Sequence, residues 1–169
     1  MWGVDGAGVD TSATNPLPVR QYDGSAVALD GRTRRVAVTP TITTVAYTAG
    51  DAVGGVMTFT NLISTSGVLL SAVLTDSSLQ AATLELVLFS ATVTATDNAA
   101  FSPTDAEALN YIGSIQFDRY TTLGQNCQSI DQALGIGVAV ATVYGVLVAR
   151  STPTYAVGDI QVAVLAKSD

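Results

Sequence analysis

The chain has no histidine and a single cysteine, Cys127, among its 169 residues. Without histidine it lacks the side chain that most often acts as general base and metal ligand, and no Ser-His or Cys-His nucleophile pair can form. A single cysteine rules out an internal disulfide, so folding does not depend on an oxidising compartment. We interpret Cys127 as a small buried side chain, because no activating residue lies near it in the sequence.

Charged residues are also scarce, at 12% of the chain against a usual share of about 25%. This scarcity indicates that part of the surface is covered by a partner or by copies of the same chain. Residues 1–40 hold four basic and four acidic residues, whereas residues 41–169 hold three basic and ten acidic ones, for a net charge of −7. An acidic body argues against nucleic acid as a partner, because phosphate contacts need Lys and Arg.

We expect neither a signal peptide nor a membrane span. The N-terminus lacks a basic region followed by an apolar run, which a signal peptide requires. The longest apolar run, residues 134–149, is too short and too rich in β-branched residues for a spanning helix. It is interpreted as buried strands.

Residues 1–44 predict an extended N-terminal arm. Pro16 and Pro18 fix their own φ angles and hold the preceding residues extended. Two Asp-Gly pairs are turn signals, and short alternating strands are predicted at residues 25–29 and 34–38. These strands would pair with the body or with a neighbouring subunit.

Residues 45–169 predict the body, an antiparallel jelly-roll-like β-sandwich with one short helix. Gly54-Gly55 is placed at a bend or bulge between two strands. The helix is expected to start at Ser102 as N-cap, and residues 104–107 also fit a capping box one turn on. Eight or more strands and one helix make the chain all-β and favour the jelly-roll type. Strands are predicted within residues 45–60, 67–76, 84–89 (central and covered on both faces), 112–117, 135–148 (two strands or one bent strand) and 160–165.

One short pattern occurs twice. Residues 47–51 and 155–159 share the spacing Tyr-x-x-Gly-Asp, and each precedes an apolar strand. Early and late strands lie side by side in a folded-over hairpin, so we expect the two corners at matching edges of the fold.

Asp97, Asp105 and Glu107 cluster around the predicted helix start. Paired carboxylates can serve glycoside hydrolysis, but acids also stabilise a helix N-terminus through its dipole. Capping is favoured here, because the capping spacing is present and no sugar-binding aromatic run accompanies it. The loop at Asp97 is too short to supply six oxygens to calcium by itself, although distant loops could complete such a site.

No cofactor motif is present. The glycines at 50, 54 and 55 are not followed by Gly-Lys-Ser/Thr, and the pair at 135 and 137 lacks the third glycine of a dinucleotide site. We therefore expect no catalytic residue, no cofactor and no bound metal, and we interpret the chain as a non-enzyme.

The proline, aromatic and basic residues of the arm are the candidate partner contacts. Aromatic side chains would fill pockets on a partner, and arginines would pair with acidic groups on a partner or neighbour. A solvated terminus is the alternative for both kinds of residue. The candidate contact residues are Trp2, Pro16, Pro18, Arg20, Tyr22, Arg32, Arg34 and Arg35.

Three stretches resemble a family of tailed-phage virion proteins. They are residues 47–55 (Tyr-Thr-Ala-Gly-Asp-Ala-Val-Gly-Gly), residues 96–101 (Thr-Asp-Asn-Ala-Ala-Phe) with the Ser-Pro-Thr-Asp run that follows, and residues 158–162 (Gly-Asp-Ile-Gln-Val). The chain is similar to capsid decoration (cement) proteins with a jelly-roll body over roughly residues 45–166. The resemblance implies a body that trimerises at capsid three-fold positions and N-terminal segments that fasten it to the shell.

The resemblance and the composition together predict a virion structural protein on the capsid surface, made in the host cytoplasm. Its expected partners are itself, as a homotrimer, and the major capsid protein, with no nucleic acid and no membrane. The alternative is a tail, fibre or spike component that binds a host-surface glycan. Such an adhesin should carry aromatic residues on an exposed sheet face, but only 7% of the chain is aromatic.

Overall fold

The computed structural model describes residues 32–43 and 45–169. This part of the chain holds eleven β-strands and one short helix, which confirms the all-β prediction. The elements are β1 (Thr33–Val38), β2 (Val45–Ala46), β3 (Ala52–Phe59), β4 (Gly67–Asp76), β5 (Leu84–Phe89), α1 (Asp105–Ala108), β6 (Tyr111–Phe117), β7 (Tyr120–Leu123), β8 (Asn126–Val138), β9 (Val143–Ala149), β10 (Thr154–Tyr155) and β11 (Ile160–Ser168).

The strands form two large antiparallel sheets and one small one. The first sheet has the order β1-β11-β4-β8-β7, the second has the order β3-β9-β5-β6, and β2 pairs with β10. The pairs β1–β11, β3–β9, β4–β8 and β5–β6 are those of a long hairpin folded over on itself. The predicted antiparallel sandwich is therefore confirmed, whereas its assignment as a jelly roll stays a prediction.

The core lies between the inner faces of the two large sheets. Alternate residues of β4 are buried, as expected for a strand with one face on the core. Side chains within the four-stranded sheet also pack tightly: a Cβ added at Gly145 of β9 would lie 2.9 Å from Leu86 Cδ1 in β5 and 3.1 Å from Phe59 Cε2 in β3. Packing at this density leaves no room for an added methyl group at Gly145.

The segment between β5 and α1 covers the outer face of the four-stranded sheet. Ala52 N–H donates to Ala99 O at 2.9 Å, and Phe101 N–H donates to Gly50 O at 2.9 Å. Phe101 packs edge-on against Phe89, with ring centroids 6.1 Å apart. A second apolar cluster thus forms outside the sandwich, and the prediction that β5 is central and covered on both faces is confirmed.

The helix starts two residues later than its first predicted cap. Thr104 is the N-cap, and a capping box joins it to Glu107, whereas Ser102 does not cap the helix. The Glu107 carboxylate accepts from Thr104 N–H at 2.8 Å, so the second predicted start, the capping box at residues 104–107, is confirmed. Residues 135–148 belong to two strands, β8 and β9, as one of the two predicted alternatives has it. β7 and the polar first half of β8 were not predicted, because their residues do not alternate between apolar and polar.

The repeated Tyr-x-x-Gly-Asp pattern forms two matching turns. Asp51 N–H donates to Thr48 O and Asp159 N–H to Ala156 O, both at 3.1 Å. Each carboxylate also accepts from the N–H three residues earlier, at 2.8 and 2.7 Å respectively. The intervening glycines have φ values of 104° and 88°, which favour glycine because it has no Cβ.

The two short strands that lead into these turns lie side by side, but because they are antiparallel the turns leave the pair at opposite ends, and they lead into different sheets. β2 pairs with β10, and the ring centroids of Tyr47 and Tyr155 are 6.3 Å apart. Both rings are buried. The Tyr47 hydroxyl donates to Asp97, whereas the Tyr155 hydroxyl has no hydrogen-bond partner among the described residues.

The boundary predicted at residue 44 differs from the one in the structure. All six residues of β1 pair with β11, and Ile42 is 2% exposed within the core. The described residues 32–43 therefore belong to the body. The reason is that Val36 and Val38 pack against the buried cluster, so this stretch gains more from burial than from serving as an extended arm.

Candidate partner-binding edge

β1 forms one edge of the five-stranded sheet. It pairs with β11 on one side, and no described strand pairs with its other side. Arg32, Arg34 and Arg35 are all exposed at the start of this strand. An edge strand offers unpaired N–H and C=O groups, and basic side chains on it control what pairs there.

The arginines point in different directions because side chains alternate along a strand. Arg34 lies opposite Ala166, which is fully buried, so it is on the side of the sheet that faces the core. Arg35 lies opposite Leu165 on the outer face. The edge therefore presents a guanidinium group on each side of the sheet.

Arg32 and Arg34 line a cleft of about 400 Å³ at the end of the sandwich. Its remaining walls come from the turn after β3, the turn before β9 and the end of β11. The other lining residues are Thr33, Asn61, Leu62, Ile63, Ser64, Ala141 and Ser168. The cleft has an apolar floor, since Leu62 and Ile63 are buried, and a basic mouth.

Main-chain hydrogen bonds hold the rim of this cleft. Leu62 N–H donates to Ala141 O at 2.9 Å, and Ser168 N–H donates to Arg32 O at 3.0 Å. Ser64 N–H donates to Ser168 Oγ at 3.1 Å. The rim is thus tied to three separate parts of the chain, so it presents the two arginines on a fixed frame.

The charge of this edge is opposite to that of the body. Residues 32–169 hold six basic and ten acidic residues, and three of the six basic ones lie at positions 32–35. None of these three forms a salt bridge with the described residues, whereas Arg150 pairs with Glu85 at 2.7 Å elsewhere. A guanidinium group suits planar carboxylates, which it binds through two parallel hydrogen bonds. The edge is therefore suited to an acidic protein surface.

Asp97 ties the connection between β1 and β2 to the body. Its Oδ2 accepts from Thr43 N–H at 2.8 Å and from Thr43 Oγ1 at 2.6 Å. Its Oδ1 accepts from the Tyr47 hydroxyl at 2.6 Å and from Gly54 N–H at 2.7 Å. Burial disfavours the charged form, but the hydrogen bonds from Thr43, Tyr47 and Gly54 outweigh it and hold the pKa of Asp97 below its usual value.

Because residue 54 is a glycine, strand β3 can lie close to the connection between β1 and β2. Gly54 lies inside β3, at a shift of register between β3 and β9, and has φ of 81°. The predicted bulge is therefore present, but within one strand and not between two. A Cβ added here would clash with the Pro40 side chain and lie 3.0 Å from Thr41 N. A glycine at this position is therefore needed for both its φ angle and its small size.

The acidic residues around the helix are structural. Four donors occupy the Asp97 carboxylate, and Glu107 closes the capping box. The hydrogen bond from Thr104 N–H and those from Thr94 lower the pKa of Glu107 to about 2. A general acid would require a raised pKa, whereas the pKa of each of these two carboxylates is lowered.

The other chemical candidates have ordinary structural settings. Cys127 is buried, and its burial together with the nearby Asp76 raises the pKa of the thiol, which disfavours the reactive thiolate. Within the described residues, no group of three or more His, Cys, Asp or Glu could hold a metal ion. Over the same residues, no helix has the length and apolar character to cross a bilayer.

The opposite edge of the sandwich carries an exposed apolar corner. Leu109 directly follows α1 and is 88% exposed, and Tyr111 at the start of β6 is 52% exposed. Asp105 in α1 is also exposed. One signal in the sequence indicates this corner: a helix this short has no face wide enough to bury the leucine after it.

Among the predicted contact residues, Arg34 and Arg35 lie on β1, and Arg32 directly precedes it. Trp2, Pro16, Pro18, Arg20 and Tyr22 lie outside the described residues. Sequence reasoning missed the role of Asp97, because it considered that residue as part of a turn, a helix cap, a carboxylate pair or a calcium loop and not as a tie to Thr43 and Tyr47. No local pattern shows its bonds to Thr43 and Tyr47.

Comparison with protein-family models gives no match, and neither does comparison with curated proteins. Function must therefore be inferred from the residues themselves and their arrangement.

Proposed function

We propose that this chain is a capsid decoration (cement) protein of a tailed phage. Its body acts as a homotrimer on the capsid surface, and it binds the major capsid protein through the arm of residues 1–31. The observation that carries the proposal is the charge of the β1 edge. This edge is basic and unpaired within the described residues, it lies on an otherwise acidic body, and the arm leads directly into it.

The architecture supports a mechanical role. The strand orders β1-β11-β4-β8 and β3-β9-β5-β6 fit a jelly roll, which is common among virus capsid domains. Most strand pairs join residues far apart in sequence, such as Thr33 with Lys167. The two ends of the described chain are thereby fastened to each other within one sheet, which suits a protein that resists pressure inside a shell.

The arm and the oligomer would act together. Three arms on one trimer can contact neighbouring capsid subunits at the same time, and each later contact forms at a high effective concentration. Weak contacts by each arm then add up to firm attachment. The major capsid protein would be joined across its subunit boundaries without any chemical reaction.

The glycan-binding alternative receives less support. Sugar-binding surfaces need exposed aromatic rings that stack on the sugar. Among the described residues, Tyr111 is the only aromatic side chain in the group of exposed large hydrophobic residues, whereas the other members of that group are aliphatic. A single ring at a corner does not form a sugar-binding face.

The test compares the full chain with a chain that starts at residue 32. The structure sets this start, because a deletion to residue 40 would also remove β1 from the sheet. Both proteins are mixed with heads of the phage that encodes the chain and are sedimented. We expect the full chain to sediment with the heads and the shortened chain, folded by circular dichroism, to stay in solution.

Two outcomes would contradict the proposal. If the shortened chain sediments with the heads as well as the full chain does, the arm is not the means of attachment. If the full chain does not bind heads, the decoration function itself is wrong. Heads carrying the bound full chain should also release their DNA at a higher temperature than bare heads.

A further inference from the structure

We infer that the two opposite edges of the body fit each other, so that the β1 edge of one copy contacts the α1–β6 corner of the next and the copies close into a ring. The α1–β6 corner is here defined by Asp105, Glu107, Leu109 and Tyr111. The inference rests on the proposed function, since it names the two surfaces through which the copies of the proposed trimer contact each other.

The α1–β6 corner has the composition of an interface. Leu109 and Tyr111, two residues apart in the chain, expose an aliphatic and an aromatic side chain to solvent. Exposed apolar groups bordered by polar ones mark contact sites on soluble proteins. Asp105 is exposed beside them, and Glu107 keeps its negative charge because its pKa is lowered to about 2.

The β1 edge has the opposite charge. Arg32, Arg34 and Arg35 are exposed there, and Val36 and Val38 follow as half-buried apolar residues. A surface that carries these arginines is complementary in charge to one that carries Asp105 and Glu107. Contact between two β1 edges would instead bring six arginines together.

The two surfaces lie at the same end of the sandwich. Thr33 pairs with Lys167, Lys167 with Val68, and Val68 with Gly137, so the start of β1 is level with the end of β8. A Cβ added at Gly113 of β6 would lie 3.2 Å from Ile136 Cδ1, and Ile136 is the residue before Gly137. The start of β6 is therefore at the same level, across the sandwich.

This placement favours a closed ring. A contact between two different surfaces is head-to-tail, and it closes when a rotation returns the chain of copies to its start. Rotation about an axis parallel to the strands keeps every residue at its own level. The arginines of one copy would then meet the α1–β6 corner of the next without any tilt.

Two variants test the ring, one for each surface. Arg34→Glu/Arg35→Glu reverses the charge of the β1 edge. Leu109→Arg adds a positive charge to the opposite corner, at a side chain that is 88% exposed and so should not affect folding. Val157→Arg is the matched control, because it adds the same charge at another exposed apolar residue, which is 74% exposed and lies in the turn before β11.

The measurement is the mass in solution by light scattering at low salt. We expect the wild type and Val157→Arg near three times 17.3 kDa, and each surface variant near 17.3 kDa. The sharpest result comes from an equal mixture of the two surface variants. Each then lacks one surface and keeps the other, so the mixture should form dimers near twice 17.3 kDa and nothing larger.

A wild type that is monomeric, a surface variant that keeps the wild-type mass, or a mixture that stays monomeric would each overturn the ring. Binding to phage heads is measured separately on the wild type. If the mass results contradict the ring but the full chain still binds heads, the interface is wrong and the decoration function stands. If the ring forms but heads are not bound, the interface is correct and the decoration function is wrong.

Discussion

Replacing Asp97 by Asn tests how the segment after β1 is held on the body. The substitution keeps the shape of the side chain but leaves only one oxygen to accept hydrogen bonds. If that oxygen continues to serve Tyr47 and Gly54, the new amide N–H group faces Thr43 N–H, which donates to the carboxylate at 2.8 Å in the wild type. Two donors then face each other, and Thr43 N–H loses its partner.

The size of the effect follows from the number of bonds changed. One hydrogen bond to a charged group contributes about 1.5–3 kcal/mol and a neutral one about 1 kcal/mol, so losing one bond and weakening two others costs roughly 3–4 kcal/mol. The asparagine carries no charge, so the cost of partly burying the carboxylate disappears, which offsets some of this loss of stability. We expect the free energy of unfolding to fall by about 2–3 kcal/mol, which corresponds to a Tm lower by roughly 5–10 °C for a domain of this size.

The assay is urea unfolding followed by circular dichroism, with Asp118→Asn as the control. Asp118 is exposed and has no hydrogen bond to the described side chains, so the same chemical change there should shift the free energy by no more than about 0.5 kcal/mol. A double-mutant cycle with Tyr47→Phe should show that the two changes are not additive, since they share one bond. If Asp97→Asn were as stable as its control, the proposed role of this carboxylate would be refuted.

Two further predictions concern packing and pH. Gly54→Ala should destabilise the fold by about 2–4 kcal/mol, because the new side chain meets both a positive φ and a steric clash. Gly50→Ala should cost only about 1–2 kcal/mol, because its φ is also positive but no atom lies within 4 Å of the new Cβ. Equal urea midpoints for the two variants would contradict the crowding at Gly54. Asp97 and Glu107 have folded-state pKa values below their unfolded ones, so their contribution is present above the unfolded pKa and is lost as pH falls through the folded one. Stability should therefore stay level from neutral pH to about 5 and decline between about 4.5 and 2, with a shallower decline in Asp97→Asn; a wild-type profile that is flat down to pH 2 would contradict this.

Local patterns predicted several elements closely. Alternation of apolar and polar residues placed β4 at residues 67–76, and a short apolar run placed β5 at residues 84–89. Both signals depend only on which side chains are buried: a strand with one buried face shows a period of two, whereas a strand covered on both faces is a continuous apolar run. The capping box at Thr104 was also visible, because it involves residues only three apart.

The same patterns failed where the burial signal was weak. β7 and the first half of β8 are rich in Thr, Gln and Asn, so they show little alternation. A strand was predicted at residues 34–38, but it was assigned to the arm because residues 1–44 are rich in Gly, Asp, Thr and Pro. Its pairing with β11 depends on residues about 130 positions later in the chain, and no local signal reports such a partner.

The candidate partner-binding edge shows the same division. The sequence showed that the arginines at 32, 34 and 35 are concentrated ahead of an acidic body. It did not show that they lie on an edge strand, or that the α1–β6 corner is level with them across the sandwich. Those facts come from the sheet order, which only the folded chain has.

By itself, the sequence determined the all-β class, the absence of histidine chemistry and the excess of acidic residues over basic ones in residues 41–169, because composition and period are properties of the residues and their order. Only the tertiary structure decided which strands are neighbours, which residues surround Asp97 and which surfaces remain exposed. The reason is physical. Alternation specifies which face of a strand is buried, whereas the choice of partner strand depends on packing between residues that are distant in the chain.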